Sequence, residues 1–352
     1  MAALNLILMV RPKRTRNGLE GPEVVVLVPA RNEEKNLKEL LPRLFQAEPH
    51  LKVYVFDDES SDKTAQVARD EGAIVLQPSK PLPQGWTGKN RACDTLAKAA
   101  MEDSDANWII FLDADTRPGP LFIPICRALA DECPSNIGVI SGFPKLSPGA
   151  AFEPLFLAWV PWVLLTTNPF GIASRTGIGH NQFTNGQFTL WRKKIYEDLM
   201  PNEALKGVVL EDVHIGRLLK KRKIGLRVLN MSEHFTTHMY DTWRQAYDGL
   251  SKNAFDITGN AWGTYGLALL MLALGFGWVF VGPFWYLPYG LLCLSGIFVF
   301  WVGGMGIIMG FAMPIVLLIA ACTLIRSASW RMHGKVTWKG RIISSSPDEK
   351  KS

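Results

Sequence analysis

Between Asp256 and Arg326 the chain has no Asp, Glu, Lys, Arg or His, so positions 257–325 are 69 residues without a formal charge. That absence excludes an ordinary soluble surface for the segment. A bilayer-spanning helix needs about 20 apolar residues, and the stretch has room for about three, at 263–281, 284–302 and 304–325. The plainer alternative, a buried hairpin of a large soluble domain, does not suit so long a charge-free run. Cysteine is sparse as well. The five residues (Cys93, Cys126, Cys133, Cys293, Cys322) form no CxxC pair, which argues against a disulfide framework or zinc ribbon and for reduced, mostly buried thiols. Glycine is missing from Pro29-Ala30-Arg31-Asn32-Glu33, where a phosphate-cradling loop after a first strand would need it. Residues 1–10 are apolar but too short to cross a bilayer. They also lack the basic n-region and small-residue cleavage site of a signal peptide. The run suits an interfacial position or the remnant of a longer anchor.

The formal charge of +6 does not mark a nucleic-acid partner. Arg11, Lys13, Arg14 and Arg16 follow the first apolar run, and Arg326, Arg331, Lys335, Lys339 and Arg341 follow the last. Such basic flanks face an anionic cytoplasmic leaflet, and no basic stripe interleaved with aromatics accompanies them. Basic residues on both sides favour an even number of crossings, against the three that the length suggests. One segment is then re-entrant, or the charge rule is overridden.

Upstream, apolar runs alternate with helical periodicity. Strands are expected at 24–28, 53–56, 73–76, 108–112, 137–141 and 187–191. Helices are expected from Asn32 to Leu44 and over 61–70, 90–101, 152–165, 211–223 and 243–255. Alternating strand and helix predict an α/β domain with a parallel, doubly wound sheet. Ligands bind such sheets at the carboxyl ends of the strands. Three successive strand ends carry Arg31/Asn32/Glu33, Asp57/Asp58 and Asp113/Asp115, so they describe one crevice. The organisation follows: a segment 1–21, a catalytic domain 22–240, an amphipathic interfacial segment 241–260, a membrane region 261–326 and a basic tail 327–352.

Asp113-Ala114-Asp115 places two carboxylates on one side of extended backbone, a pattern that suits a hard divalent cation such as Mg²⁺ or Mn²⁺ bridging phosphates. Asp-x-Asp by itself is common turn chemistry; the preceding Trp-Ile-Ile-Phe-Leu and the other acidic strand ends make it a site. Asp58, at the end of its strand, suits contact with a nucleobase or ribose, while Ser61 or Asp62 caps the next helix. Glu211-Asp212 opens a helix and serves either the helix dipole or as a general base for an acceptor hydroxyl. His180, Asn185 and Gln187, around Gly186, are candidates for the acceptor side or for a turn leading into a strand.

Val-Pro-Ala-Arg-Asn-Glu (28–33), Asp57-Asp58 with Ser60 and Asp62, Asp113-x-Asp115 and Glu211-Asp212 together resemble the family 2 inverting glycosyltransferases in order and spacing. The resemblance covers residues 22–255. It implies a GT-A fold, a nucleotide-diphosphate sugar donor and a divalent metal. By the same resemblance, Pro29, Glu33 and Asp58 hold the nucleotide, Asp113 the ribose or pyrophosphate and Asp115 the metal, with Asp212 as base. Within that family, Pro81-Leu82-Pro83-Gln84-Gly85-Trp86-Thr87-Gly88-Lys89 resembles a segment of membrane glycosyltransferases of hopanoid and carotenoid glycosylation, and more distantly of ceramide glucosyltransferases. Gly85 and Gly88 permit close backbone approach, and Lys89, with Arg31, offers positive charge to the donor diphosphate; an ordinary solvated loop is the alternative. The Gln-x-x-Arg-Trp motif of processive synthases is absent, which argues against polymerisation. The expected function is therefore non-processive transfer of a sugar to a lipid-type hydroxyl, by a multi-pass protein of a bacterial cell membrane with its catalytic domain in the cytoplasm. The aromatic segments around Trp159, Trp162 and Trp243 are read as amphipathic and as favouring a lipid acceptor. A nucleotidyltransferase of similar architecture and a non-catalytic membrane binding protein are the rival readings.

Overall fold

The computed structural model describes residues 5, 9–12, 21–149, 152–170, 183–333, 337–338 and 341–342. It divides into two compact units. One is built from Leu8–Lys145 and Phe170–Thr237, the other chiefly from Leu146–Pro169 and His238–Ser345.

The first unit is an α/β layer structure. Its strands are β1 (Val24–Ala30), β2 (Lys52–Asp57), β3 (Ile74–Leu76), β4 (Trp108–Leu112), β5 (Thr116–Pro118), β6 (Ile137–Phe143), β7 (Lys145–Leu146), β8 (Phe188–Arg192), β9 (Gly225–Asn230) and β10 (Phe235–Thr237). Seven of them form one sheet in the order β3-β2-β1-β4-β8-β6-β9. The helices that cover it include α1 (Glu34–Ala47), α2 (Thr64–Asp70), α3 (Gly88–Asp103) and α4 (Phe122–Asp131). Val24, Val26 and Val28 share a buried cluster with Leu37, Leu40, Leu41 and Leu44 of α1. Val25 and Leu27, alternating with them, are equally buried, and α3 packs across β1 and β2. A strand buried on both faces reads as an uninterrupted apolar run, which is why 24–28 carries no polar residue.

The parallel arrangement expected of the sheet holds for β2, β1 and β4, which pair in parallel, and fails at β8. This strand runs antiparallel to both β4 and β6. Phe188 therefore pairs with Leu112, and the residues leading into β8 lie beside those leaving β4. Four of these strands, β5, β7, β9 and β10, went unrecognised in the sequence. Gly225–Asn230 interrupts its apolar alternation with Arg227, and Phe235–Thr237 is only three residues long. β10 pairs with β5.

The second unit contains α5 (Glu153–Leu157), α6 (Trp159–Thr167), α10 (Trp243–Ala254), α11 (Ala261–Phe276), α12 (Tyr286–Val302) and α13 (Met313–Met332); the numbers between belong to α7 (Lys193–Leu199), α8 (Pro201–Ala204) and α9 (Glu211–Lys221) of the first unit. Three helical stretches, Ala261–Phe280, Gly282–Trp301 and Ile307–Met332, are long and apolar enough to cross a membrane. The end of α13 is braced to α10: Arg326 pairs with Asp248 at 2.6 Å and lies over the rings of Tyr247 and Trp330. Arg331 pairs with Asp256.

The amphipathic reading of 152–165 does not survive. The segment breaks at Ala158 into α5 and α6, Trp159 and Trp162 are buried, and the Trp162 indole donates to Ser295 Oγ at 2.9 Å. An aromatic helix with no polar face finds its partner among other apolar helices. Trp243 alone of the three is exposed.

Candidate active site

The site forms where β1, β2 and β4 end side by side. Ala30 pairs with Asp57, so the turns after β1 and β2 meet. They are laced by hydrogen bonds. Asn32 N donates to Ser60 Oγ at 2.8 Å, Ser61 N to Asn32 Oδ1 at 2.8 Å, and Glu33 N to Thr64 Oγ1 at 2.8 Å. Asn32 and Glu59 adopt positive φ, 53° and 57°; asparagine tolerates that region well and glutamate less so. Glu34 N donates to Asp62 Oδ2, and Thr64 N and Oγ1 donate to Asp62 Oδ1. Asp62 is thus a local cap whose carboxyl is held below its ordinary range despite its partial burial.

Pro29 and Arg31 flank this turn, and Arg31 reaches across it. Its Nη1 donates to Asp58 O at 2.6 Å and lies 3.7 Å from Asp58 Oδ2. Asp58 Oδ1 is paired with Arg91 Nη2. Both residues are buried, and Arg91 also donates to Lys80 O. Asp58 therefore meets two guanidiniums. Asp57 is engaged by Ser60 N and Gln77 Nε2. Arg91 was missed in the sequence; it is buried on α3 beside two other polar side chains, Asn90 and Asp94.

Asp113 and Asp115 follow β4. Asp113 N donates to Gln187 O at 3.2 Å, a contact that the antiparallel β8 makes. Lys89 Nζ lies 3.0 and 3.1 Å from the two oxygens of Asp113 and 2.9 Å from Glu211 Oε1. Burial opposes the lysine's charge, but Asp113 and Glu211 outweigh it and hold the pKa well above the ordinary lysine value. Burial pushes Asp113 upward against Lys89. Among the described residues Asp115 has no such cation at contact distance, and its buried Oδ1 has no hydrogen-bond partner. Burial, then Asp113 and Glu33, push its pKa to about 8. A buried carboxylate oxygen without a donor is costly unless a cation meets it. Among the described residues no group of three or more His, Cys, Asp or Glu gathers to hold a metal alone. The residues therefore fit an ion that takes one protein carboxylate and completes its shell with phosphate oxygens and water.

Asp212, on the first turn of α9, accepts from Val213 N at 2.8 Å through Oδ1. Its main-chain oxygen accepts from Thr184 Oγ1 at 2.8 Å. Burial, followed by repulsion from Glu211, raises its pKa to about 7. A Cβ built on Gly186 would lie 3.4 Å from Lys89 Nζ and 3.7 Å from Asp212 Oδ2, so the turn before β8 borders both. Asn185 is turned inward: its Nδ2 donates to Gly142 O at 3.0 Å and its Oδ1 accepts from Gln187 N at 3.1 Å. Gln187 joins the site through its main chain, and its Oε1 lies 3.4 Å from Asn185 Nδ2. His180 lies outside the described residues.

One further group was not foreseen. Asn90 is fully buried and donates to Leu205 O at 2.8 Å and Val208 O at 3.0 Å, while accepting from Asn202 Nδ2 at 2.9 Å. Thr87 caps α3 through Asn90 N, and its own N–H donates to Lys206 O at 2.7 Å. The start of α3 is thereby fastened to the loop that leads to Glu211.

These acidic strand ends, on a sheet with helices on both faces, coincide with a match to the glycosyl transferase family 2 profile over residues 25–199. Residues 25–199 are a family 2 glycosyltransferase domain. The chain is similar to the 4,4'-diaponeurosporenoate glycosyltransferase of Staphylococcus haemolyticus (strain JCSC1435), with 38% identity over 103 residues, 29% of this chain and 26% of that protein. It is 37% identical over 92 residues to the protein of the same name from Staphylococcus aureus (strain USA300), 26% of this chain and 24% of that one. The matches thus span about a quarter of the length of these relatives. In fold, the family 2 domain and the helices after it are similar to a mannosyltransferase of Pyrobaculum calidifontis, solved with GDP-Man and Mn²⁺: the TM-score is 0.52 at 14% identity, covering 94% of this chain and 92% of the other. The fold is GT-A. Glu211 and Asp212 lie beyond the matched range of the family 2 profile.

Proposed function

We propose that the protein moves a sugar from a nucleotide-diphosphate sugar onto a hydroxyl of a membrane-dissolved, carotenoid-type lipid, with inversion and one sugar at a time. The observation that carries this is Asp115 of the family 2 domain, whose buried Oδ1 has no donor among the described residues, in the same compact unit as Asp212, whose carboxyl is raised to about 7.

Pro29, Arg31, Glu33, Asp58 and Asp113 would bind the nucleotide side of the donor. Arg31 and Arg91 orient Asp58. Asp115 would hold Mg²⁺ or Mn²⁺, an ion that neutralises negative charge on a diphosphate leaving group. Asp212 would take the acceptor's proton as the acceptor oxygen bonds to the anomeric carbon. The bond from that carbon to the diphosphate oxygen breaks on the opposite face, and its electron pair leaves with the diphosphate. A base near neutrality is well matched to this work. His180, Asn185 and Gln187 are proposed for the acceptor side, with Asn185 acting through the shape of its turn. The three apolar helices and the carotenoid-directed relatives support a lipid acceptor at a membrane and a multi-pass placement with the catalytic domain in the cytoplasm.

The acceptor in the relatives' names is a carboxylate, which arrives ionised and needs no base. The test therefore supplies UDP-, GDP- and dTDP-sugars with a hydroxylated and a carboxylated polyene to the purified protein. Label should enter the lipid phase from one donor. With the hydroxylated acceptor, kcat should rise with pH through about 7, because the base works only when deprotonated, and Asp212→Asn should bind donor yet lose turnover. Normal turnover by Asp212→Asn on the hydroxyl acceptor would remove Asp212 as the base.

A further inference from the structure

Lys89 stands where helix electrostatics alone would not put a lysine. It lies in the first turn of α3, the positive end of the helix dipole, where a cation is disfavoured. Its ammonium has three hydrogens, and three carboxylate oxygens surround it: both of Asp113 and Oε1 of Glu211, at 2.9–3.1 Å. None is left over for a donor diphosphate in this arrangement. The three partners come from three elements: the start of α3, the end of β4 and the start of α9. Glu211 itself suits the start of α9, so the lysine is the group that needs explaining.

We infer that Lys89 is a positioning residue that ties the donor-side carboxylate Asp113 to Glu211, and so sets the place and the ionisation of the neighbouring Asp212. The inference rests on the reading of Asp212 as the base. Among the described residues, the charged groups that bear most on Asp212 are Glu211 on its own helix, Lys89 from α3 and Asp113 from the end of β4. The two carboxylates disfavour its ionised form and the lysine favours it. Lys89 stands 3.4 Å from the position a Gly186 Cβ would take, and Asp212 Oδ2 stands 3.7 Å from the same point. Both groups thus border the same point of the turn at van der Waals distance.

The experiment measures kcat and donor KM against pH for the purified full-length protein and for Lys89→Met, Lys89→Arg and Glu211→Gln, with the hydroxylated acceptor. Lys89→Met should lower kcat and move the rising limb upward by about one unit, the scale of a lost neighbouring charge. Lys89→Arg, which keeps the cation, should restore the wild-type midpoint. Glu211→Gln should move the limb downward, because a like charge next to Asp212 is gone. A Lys89→Met profile that superimposes on the wild type, with only donor KM raised, makes Lys89 a donor ligand and overturns the inference. If Lys89→Met does not fold, an unmoved limb in Glu211→Gln overturns it. Retained turnover in Asp212→Asn is a separate result: it overturns the base itself.

Discussion

Asp115 is a carboxyl whose ionised form the site disfavours. Its Oδ1 is buried with no donor among the described residues, and burial, then Asp113 and Glu33, raise its pKa to about 8. Above that pH the carboxyl is ionised, and removing its charge there should relieve the protein when no cation is present. Asp115→Asn is therefore expected to melt no lower than the wild type in chelator. The wild type should gain thermal stability with Mn²⁺, and the variant should not, because binding to the native state alone raises its stability. Equal gains in a melting curve with and without the substitution would take the ion away from Asp115. At this scale Asp-x-Asp was legible, because its residue types and its place after an apolar strand are both local. The partners of Lys89 were not. Asp113 lies 24 residues away and Glu211 lies 122 away, counted along the chain, and nothing in the Pro/Gly segment before Lys89 says which carboxylate it meets. Asp58 followed the same pattern: its position at a strand end was readable, its two guanidiniums were not.

Between elements, the side chain that joins α3 to the loop 205–208 is Asn90. Its amide serves the main-chain carbonyls of Leu205, Lys206 and Val208, and its oxygen accepts from Asn202, whose Oδ1 accepts from Tyr196 OH at 2.6 Å. Asn90→Ala would leave these buried groups without partners, at about 1–3 kcal/mol for an unsatisfied buried group. The expected outcome is a lower melting temperature together with a lower kcat, since Glu211 and Asp212 follow that loop directly. A melting curve identical to the wild type would show that the contacts exchange for water at no cost. The positions of β1, β2, β4 and α9 followed, to within two residues, from apolar runs and helical periodicity. The direction of β8 did not, because a five-residue apolar strand reads alike in either orientation. Yet that direction is what sets Gln187 beside Asp113.

Across the whole chain, the second unit exposes large apolar side chains that water would penalise: Trp262 and Phe280 are each 87% exposed and Ile308 is 80% exposed. These lie on the stretches long enough to span a bilayer, and such exposure suits an apolar surrounding such as lipid. The protein is expected to stay in the membrane pellet after alkaline carbonate washing, as followed by immunoblot; release into the supernatant would mean that the helices do not span. The α/β class, the three apolar stretches and the acidic strand ends were determined by the sequence itself, since periodicity, run length and strand-end polarity are properties of neighbouring residues. Only the tertiary structure decided the antiparallel β8, the burial of Trp159 and Trp162, and the three-element charge tie at Lys89. Each of these depends on pairings between residues far apart in the chain, chosen by which surfaces must be buried together and which charges must then be matched.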